Sequence, residues 1–186
     1  METAPLCHWD LLFALGAPFQ FENSAVRGLI HTLKYGKVGA AAELLASPLA
    51  DYLEKSIGDS GVKMENSVIV PVPLHRERER KRGFNQALVI SNLVVEKSER
   101  FRQIPVLSDA LTRKRPTPSQ TAMKNREERE KNVLGSFEAR KPELVSGKNV
   151  FLVDDVFTSG ATMREAGRVL KSAGAKKIIA LAAARA

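Results

Sequence analysis

Apolar and polar positions along the chain alternate between helical and strand rhythms. Val26, Leu29, Ile30 and Leu33 recur at i, i+3, i+4 and i+7 between Asn23 or Ser24, either a suitable cap, and Gly36, a stop, which predicts a helix. A second helical stretch, Ala40 to Ile57, contains Pro48 and is expected to kink or restart there. Gly58 to Gly61 reads as a turn, and Ser67 to Val72 as a strand whose Pro71 and Pro73 end regular pairing. The run RERERKRGFNQ then leads into a helix from Asn85 to about Val95. A short strand is expected within Val106 to Thr112, a long loop from Lys114 to about Lys131 with a helical turn in KNREERE, and a strand from Val133 to Ala139. KPELVSGK is the turn out of it.

The last third is the most regular. Val150 to Val153 form a continuous apolar run, as in a strand buried in a parallel sheet. Met163, Ala166, Val169 and Leu170 follow at helical spacing up to Gly174, and KKIIALAAA supplies another strand, completing one βαβ unit of roughly 30 residues. Residues 1–22 show no sustained period and read as an irregular lead-in with a short strand near Phe19 to Phe21. Residues 23–186 make one α/β domain: a twisted, mainly parallel sheet with helices on both faces.

Composition is ordinary for a globular chain, 44% apolar and 27% charged over 186 residues, with no repeat or low-complexity tract. No window approaches the ~18 apolar residues of a membrane helix, and no basic segment precedes LLFALG, so neither a span nor a signal peptide is expected and the chain is placed in the cytoplasm. The lone Cys7 excludes an intramolecular disulfide and a cysteine-rich zinc site; with His8 it is assigned to a loosely ordered N-terminal segment, and no zinc is expected. The net charge of +8 is concentrated. Five basic residues against two acidic ones between Arg76 and Arg82, and seven against three between Arg113 and Lys131, carry +7 of it. An anionic partner is implied.

Candidate chemistry centres on VFLVDDVFTSGAT, Val150 to Thr162. Ligands of parallel α/β sheets bind beyond the carboxyl ends of the strands. Thr158, Ser159, Gly160, Ala161 and Thr162 at a helix N-terminus offer backbone N–H groups, hydroxyls and the positive end of the helix dipole, which suits a phosphate. Asp154 and Asp155 would repel a phosphate but can accept hydrogen bonds from vicinal sugar hydroxyls or sit beside a divalent cation. The pair and the loop together indicate a phosphorylated sugar. The basic run after the Ser67 to Val72 strand lies at the same sheet edge, so Arg76, or Arg82 beside Gly83, is a candidate diphosphate contact. The Lys114 to Lys131 loop has the character of a basic lid. Lys34 at its helix end complements the dipole and is also a candidate for the diphosphate.

The stretch Val150 to Thr162 resembles the thirteen-residue phosphoribosyl-diphosphate (PRPP) signature of type I phosphoribosyltransferases. That resemblance implies that Asp154 and Asp155 contact the ribose hydroxyls, that Thr158 to Thr162 hold the 5-phosphate, and that Mg²⁺ arrives with PRPP rather than on a protein site. IHTLKYG at Ile30 to Gly36, VPVPLHRERERKRGFNQ at Val70 to Gln86, and the RxRPTxSQ...REERxxNVxGSF pattern from Arg113 to Phe137 are similar to the ComF family of competence and DNA-utilisation proteins. The resemblance covers about residues 19–186 and adds Arg113 and Arg115 as lid candidates. Members commonly begin with a four-cysteine zinc module, of which this chain carries only Cys7. Hypoxanthine-type enzymes place an Asp where Thr158 stands, so purine salvage by that route is not expected. The implied function is phosphoribosyl transfer from PRPP to an unknown acceptor, linked to DNA uptake. The alternative is a single-stranded-DNA-binding or scaffold protein of DNA uptake or repair that uses PRPP only as a regulatory ligand. Phe84 is the sole aromatic in the basic stretches that could stack on a base.

Overall fold

The computed structural model describes residues 14–36, 38–56, 62–116 and 126–186. Its frame is a parallel sheet of β1 (Ala14–Gly16), β2 (Phe19–Gln20), β3 (Ser67–Pro71), β6 (Asn149–Phe157) and β7 (Lys177–Arg185), in the order β1-β7-β6-β3, with β2 also on β7. Register runs Val150 beside Val68 and Ile178, and Leu152 beside Val70 and Ala180. An isolated bridge from Val106 to Ile69 adds one more parallel contact at the β3 edge. A separate antiparallel ribbon joins β4 (Leu111–Arg113) to β5 (Phe137–Ala139).

Strand periodicity assigns the two cores. In β6, Phe151 and Val153 face α1 (Ser24–Tyr35), α2 (Val38–Ser56) and α4 (Gln86–Lys97), where Leu33, Leu49 and Ile90 are buried. Val150 and Leu152 face the opposite side, packed with Met163, Ala166 and Leu170 of α7 (Ala161–Ser172) and with Leu111 and Phe137 of the ribbon. A strand covered on both faces needs an unbroken apolar run, which is why β6 does not alternate with polar residues. The sheet is therefore parallel with helices on both faces, as the sequence predicts.

Several elements differ from the sequence reading. Residues 14–16, expected as part of an irregular lead-in, form a strand on β7, which also pairs with the expected short strand at 19–20. α2 runs through Pro48 without restarting. The carbonyl that Pro48 cannot serve belongs to Leu44, 58% exposed, where water can take it, while Leu45 and Leu49 are fully buried and hold the helix down. The basic run, given no element of its own in the sequence, is a helix, α3 (Arg76–Arg82): His75 caps it by accepting from the Glu77 N–H, Glu77 and Glu79 lie in its first turn and Arg80, Lys81 and Arg82 in its last, and Gly83 at φ 85° closes it. α5 (Arg126–Val133) contains the helical turn expected in KNREERE and extends it to Val133, expected as the start of a strand, so that strand begins only at Phe137; β4 reaches one residue past the expected Thr112, to Arg113. A short α6 (Pro142–Val145) sits in the expected turn. The N-terminal Cys7 and His8, the Gly58 to Gly61 turn and the middle of the expected lid, 117–125, lie outside the described residues.

Candidate functional site

The carboxyl ends of β3 and β6, the N-terminus of α7 and the end of α1 surround a cavity of about 340 Å³. Asp154 and Asp155 stand on its floor and are split by strand parity. Asp155, on the face toward α1, is 5% exposed, and its Oδ2 lies 2.9 Å from Lys34 Nζ. Asp154 points to the face of α7 and the ribbon, where it attracts the Arg113 guanidinium. Each Oδ1 accepts the backbone N–H of the following residue at 2.8 Å, which fixes both carboxylates at the strand end. Burial, then the charge of Asp155, pushes the Asp154 carboxyl up to about 8.

The loop after β6 turns at Gly160, φ 77°, the residue preceding α7. A Cβ there would stand 2.6 Å from the Phe157 ring, so the position accepts only glycine without rearrangement. The Ser159 hydroxyl accepts from the Ala161 N–H at 3.4 Å, and Arg164 donates to the Ser159 carbonyl at 3.1 Å. Thr158, Gly160 and Thr162 line the cavity, with the amino end of the twelve-residue α7 behind them. Ser159 and Ala161 complete the loop without lining it.

Cations enter from three elements. Lys34 comes from α1, Arg78 and Arg82 one turn apart from α3, and Arg113 from β4: four cations against two carboxylates in the lining. Arg82 donates to the Gln86 side chain at 2.5 Å and stands 5.6 Å over the ring of Tyr35, which is 72% exposed at the rim. Arg113 is 8% exposed and lies 5.1 Å over Phe137. Burial, then the neighbouring charge of Arg78, brings its guanidinium down to about 10.

Of the diphosphate and lid candidates, Lys34, Arg82 and Arg113 reach the cavity; Arg76 and Arg115 do not line it. Arg76 is on the exposed side of α3. Arg115 donates instead to the Leu134 carbonyl, tying the exit of β4 to the end of α5. Arg78 was missed, because a run with no element assigned has no faces; as a helix, the same seven residues put Arg78 and Arg82 on one stripe. Among the described residues no group of three or more His, Cys, Asp and Glu could hold a metal. Two carboxylates fit a Mg²⁺ ion only if it takes most of its ligands from substrate oxygens and water.

A parallel sheet carrying an acidic pair and a small-residue loop at one strand end is the fold of the phosphoribosyl transferase domain. The family model of the phosphoribosyl transferase domain matches residues 81–186, more than half of the chain, and the chain belongs to that family. Within it, the curated relatives are of the ComF kind. The chain is 32% identical over 150 residues to DNA utilization protein YhgH of Escherichia coli, covering 81% of this chain and 63% of that protein. It is 35% identical over 124 residues to competence protein F of Haemophilus influenzae, covering 63% and 50%. To competence protein ComFC of Bacillus subtilis it is 35% identical over 107 residues, covering 58% and 39%. The chain thus spans less than two thirds of the length of these relatives. A solved glutamine PRPP amidotransferase from B. subtilis is similar at a TM-score of 0.48 and 24% identity, over 79% of this chain and 27% of that one. Among the described residues no helix is long and apolar enough to cross a membrane.

Proposed function

We propose that the chain binds PRPP together with Mg²⁺ and transfers its phosphoribosyl group to an acceptor, in a process of DNA uptake. One observation carries this reading: acceptors for a sugar diol, donors for a phosphate and a surplus of cations converge on a single cavity at the carboxyl edge of the sheet. Asp154 and Asp155 accept from the ribose hydroxyls. Thr158, Gly160 and Thr162 receive the 5-phosphate on loop N–H groups and hydroxyls at the positive end of α7. Arg82, Arg78 and Lys34 face the diphosphate. Mg²⁺, when bound, neutralises diphosphate charge and makes it a better leaving group.

In the reaction the bond from C1 to the diphosphate oxygen breaks, its electron pair leaving with the diphosphate. An acceptor lone pair forms the new bond to C1, and the acceptor's proton passes to solvent. The positive charge developing at C1 is stabilised by the Asp155 carboxylate fixed at the end of β6, and by Asp154 once bound ligand has displaced its proton.

Calorimetric titration with PRPP and Mg²⁺ tests the binding step. Saturable heat is expected with the unaltered chain, and an affinity at least about tenfold weaker with Asp155→Asn or Ser159→Ala, each of which disturbs a fixed part of the site. Absence of heat, or equal heat from both variants, rejects the reading.

A second reading, single-stranded DNA binding with PRPP as a regulator, draws on one observation. Arg76 and Arg80 are exposed on α3 and line no part of the cavity.

A further inference from the structure

A second cavity, of about 200 Å³, adjoins the first. It is lined by His75, Glu77, Arg78, Lys81, Arg113 and Pro116. Arg78 and Arg113, from different elements, line both spaces, so the two cavities meet at these residues. We infer that this second cavity is the acceptor subsite of the transferase and that it takes a compact acceptor carrying a carboxylate or phosphate. The inference rests on the PRPP reading of the first cavity.

Charge is the first argument. Arg78, Lys81 and Arg113 stand against the one carboxylate of Glu77, and Arg113 is held in a buried position over Phe137. Like charges lining one space favour an anion between them, whereas a neutral acceptor leaves their repulsion in place. Burial first, and then the charge of Arg78, lowers the Arg113 guanidinium. Guanidinium groups also match carboxylate and phosphate oxygens in pairs.

Position and size complete it. The sugar hydroxyls and the 5-phosphate are both accounted for within the first cavity, and the second opens beside it at Arg78 and Arg113, so a group held there lies next to the bound ligand. A cavity of ~150 Å³ accepts benzene; 200 Å³ therefore suits one ring with its anionic substituent. Helix geometry supplies the selectivity: Glu77 and Lys81, four apart on α3, line the second cavity and not the first, while Arg82 lines the first and not the second.

Benzoate, phenyl phosphate and the neutral benzamide are the probes, followed by NMR at the backbone amides of His75, Glu77 and Lys81 with PRPP calorimetry on the same sample. The expected result is saturable shifts with at least one anion and none with benzamide. Lys81→Ala, at an exposed position, weakens that anion about tenfold while PRPP affinity stays within about twofold, as loss of one charge-assisted contact requires. The tighter of the two anions assigns carboxylate or phosphate. Benzamide binding as well as the anions, or no saturable shift with any probe, overturns the inference. A Lys81→Ala loss shared by PRPP also overturns it, since the cavity would then serve the diphosphate. PRPP heat without anion shifts sinks this inference alone; no PRPP heat sinks the transferase reading and the acceptor assignment with it.

Discussion

The two carboxylates at the end of β6 are chemically alike and electrostatically different. Asp155 has Lys34 at 2.9 Å, whereas Asp154 has burial and the neighbouring carboxylate against it, which raises its carboxyl from 3.8 to about 8. A raised folded-state value has a definite sign. Between about pH 4 and pH 8 the folded chain holds a proton that the unfolded chain has released, so ligand-free stability falls as pH rises through that window and is flat above it. Asp154→Asn removes the decline. Denaturant melts should show variant and parent nearly equal near pH 4, and the variant more stable near pH 9 by several kcal/mol, with about 6 kcal/mol as the ceiling. A parent whose stability rises between these pH values would show that Asp154 is ionised throughout. Such a site sacrifices stability to keep a second carboxylate ready for a ligand that supplies hydroxyls or positive charge.

At the scale of elements, the antiparallel ribbon decides whether Arg113 reaches the site, and its anchor is a buried glutamate. Glu165 of α7 is 5% exposed, bonded through both oxygens to Arg168 at 2.8 Å, and accepts the Gly135 N–H at 2.8 Å just before β5. Arg168, with Gly135 and Arg115 after it, holds the carboxyl below its usual range. Glu165→Ala leaves the Gly135 donor without its acceptor and should cost about 2 kcal/mol in urea unfolding, with faster hydrogen exchange at Gly135 and through β5. Unchanged exchange there would mean that packing of Phe137 alone holds the ribbon. None of this anchor was legible in the sequence, because strands of three residues separated by a helix carry no local turn signal. β1 escaped for the same reason: it is three residues long, and its partner β7 lies at the far end of the chain, whereas β2 falls where a short strand near Phe19 is expected. β6, the loop and α7 were legible because their pattern is local, and the opposite facing of Asp154 and Asp155 follows from strand period alone. No restart occurs at Pro48 because propensity is local and the burial of Leu45, Ala46 and Leu49 is not. The α3 helix was written in its charges, both glutamates in the first turn and basic residues last before a glycine, yet charge density concealed it.

For the whole molecule, the net charge of +8 is divided by the fold into two populations. One, Lys34, Arg78, Arg82 and Arg113, is turned inward to a cavity that also holds two carboxylates. The other includes Arg76 and Arg80, four apart on the outer side of α3 and open to solvent. Inward charge serves a small anion whose shape is matched; outward charge with little aromatic surface beside it can serve only the phosphate backbone of a polyanion, without base stacking. The two populations should therefore separate under mutation. If single-stranded DNA binds, a labelled oligothymidylate followed by anisotropy should show log K falling with log salt at about −0.7 per phosphate neutralised. The double variant Arg76→Ala with Arg80→Ala should flatten that slope by about 1.4 and leave PRPP affinity within about twofold. A salt response that is flat in the parent removes the DNA track altogether, and a slope unchanged in the variant removes α3 from it. A PRPP affinity that falls with the double variant would instead mean that the outer arginines act on the cavity through the α3 helix, and the division into two populations would fail.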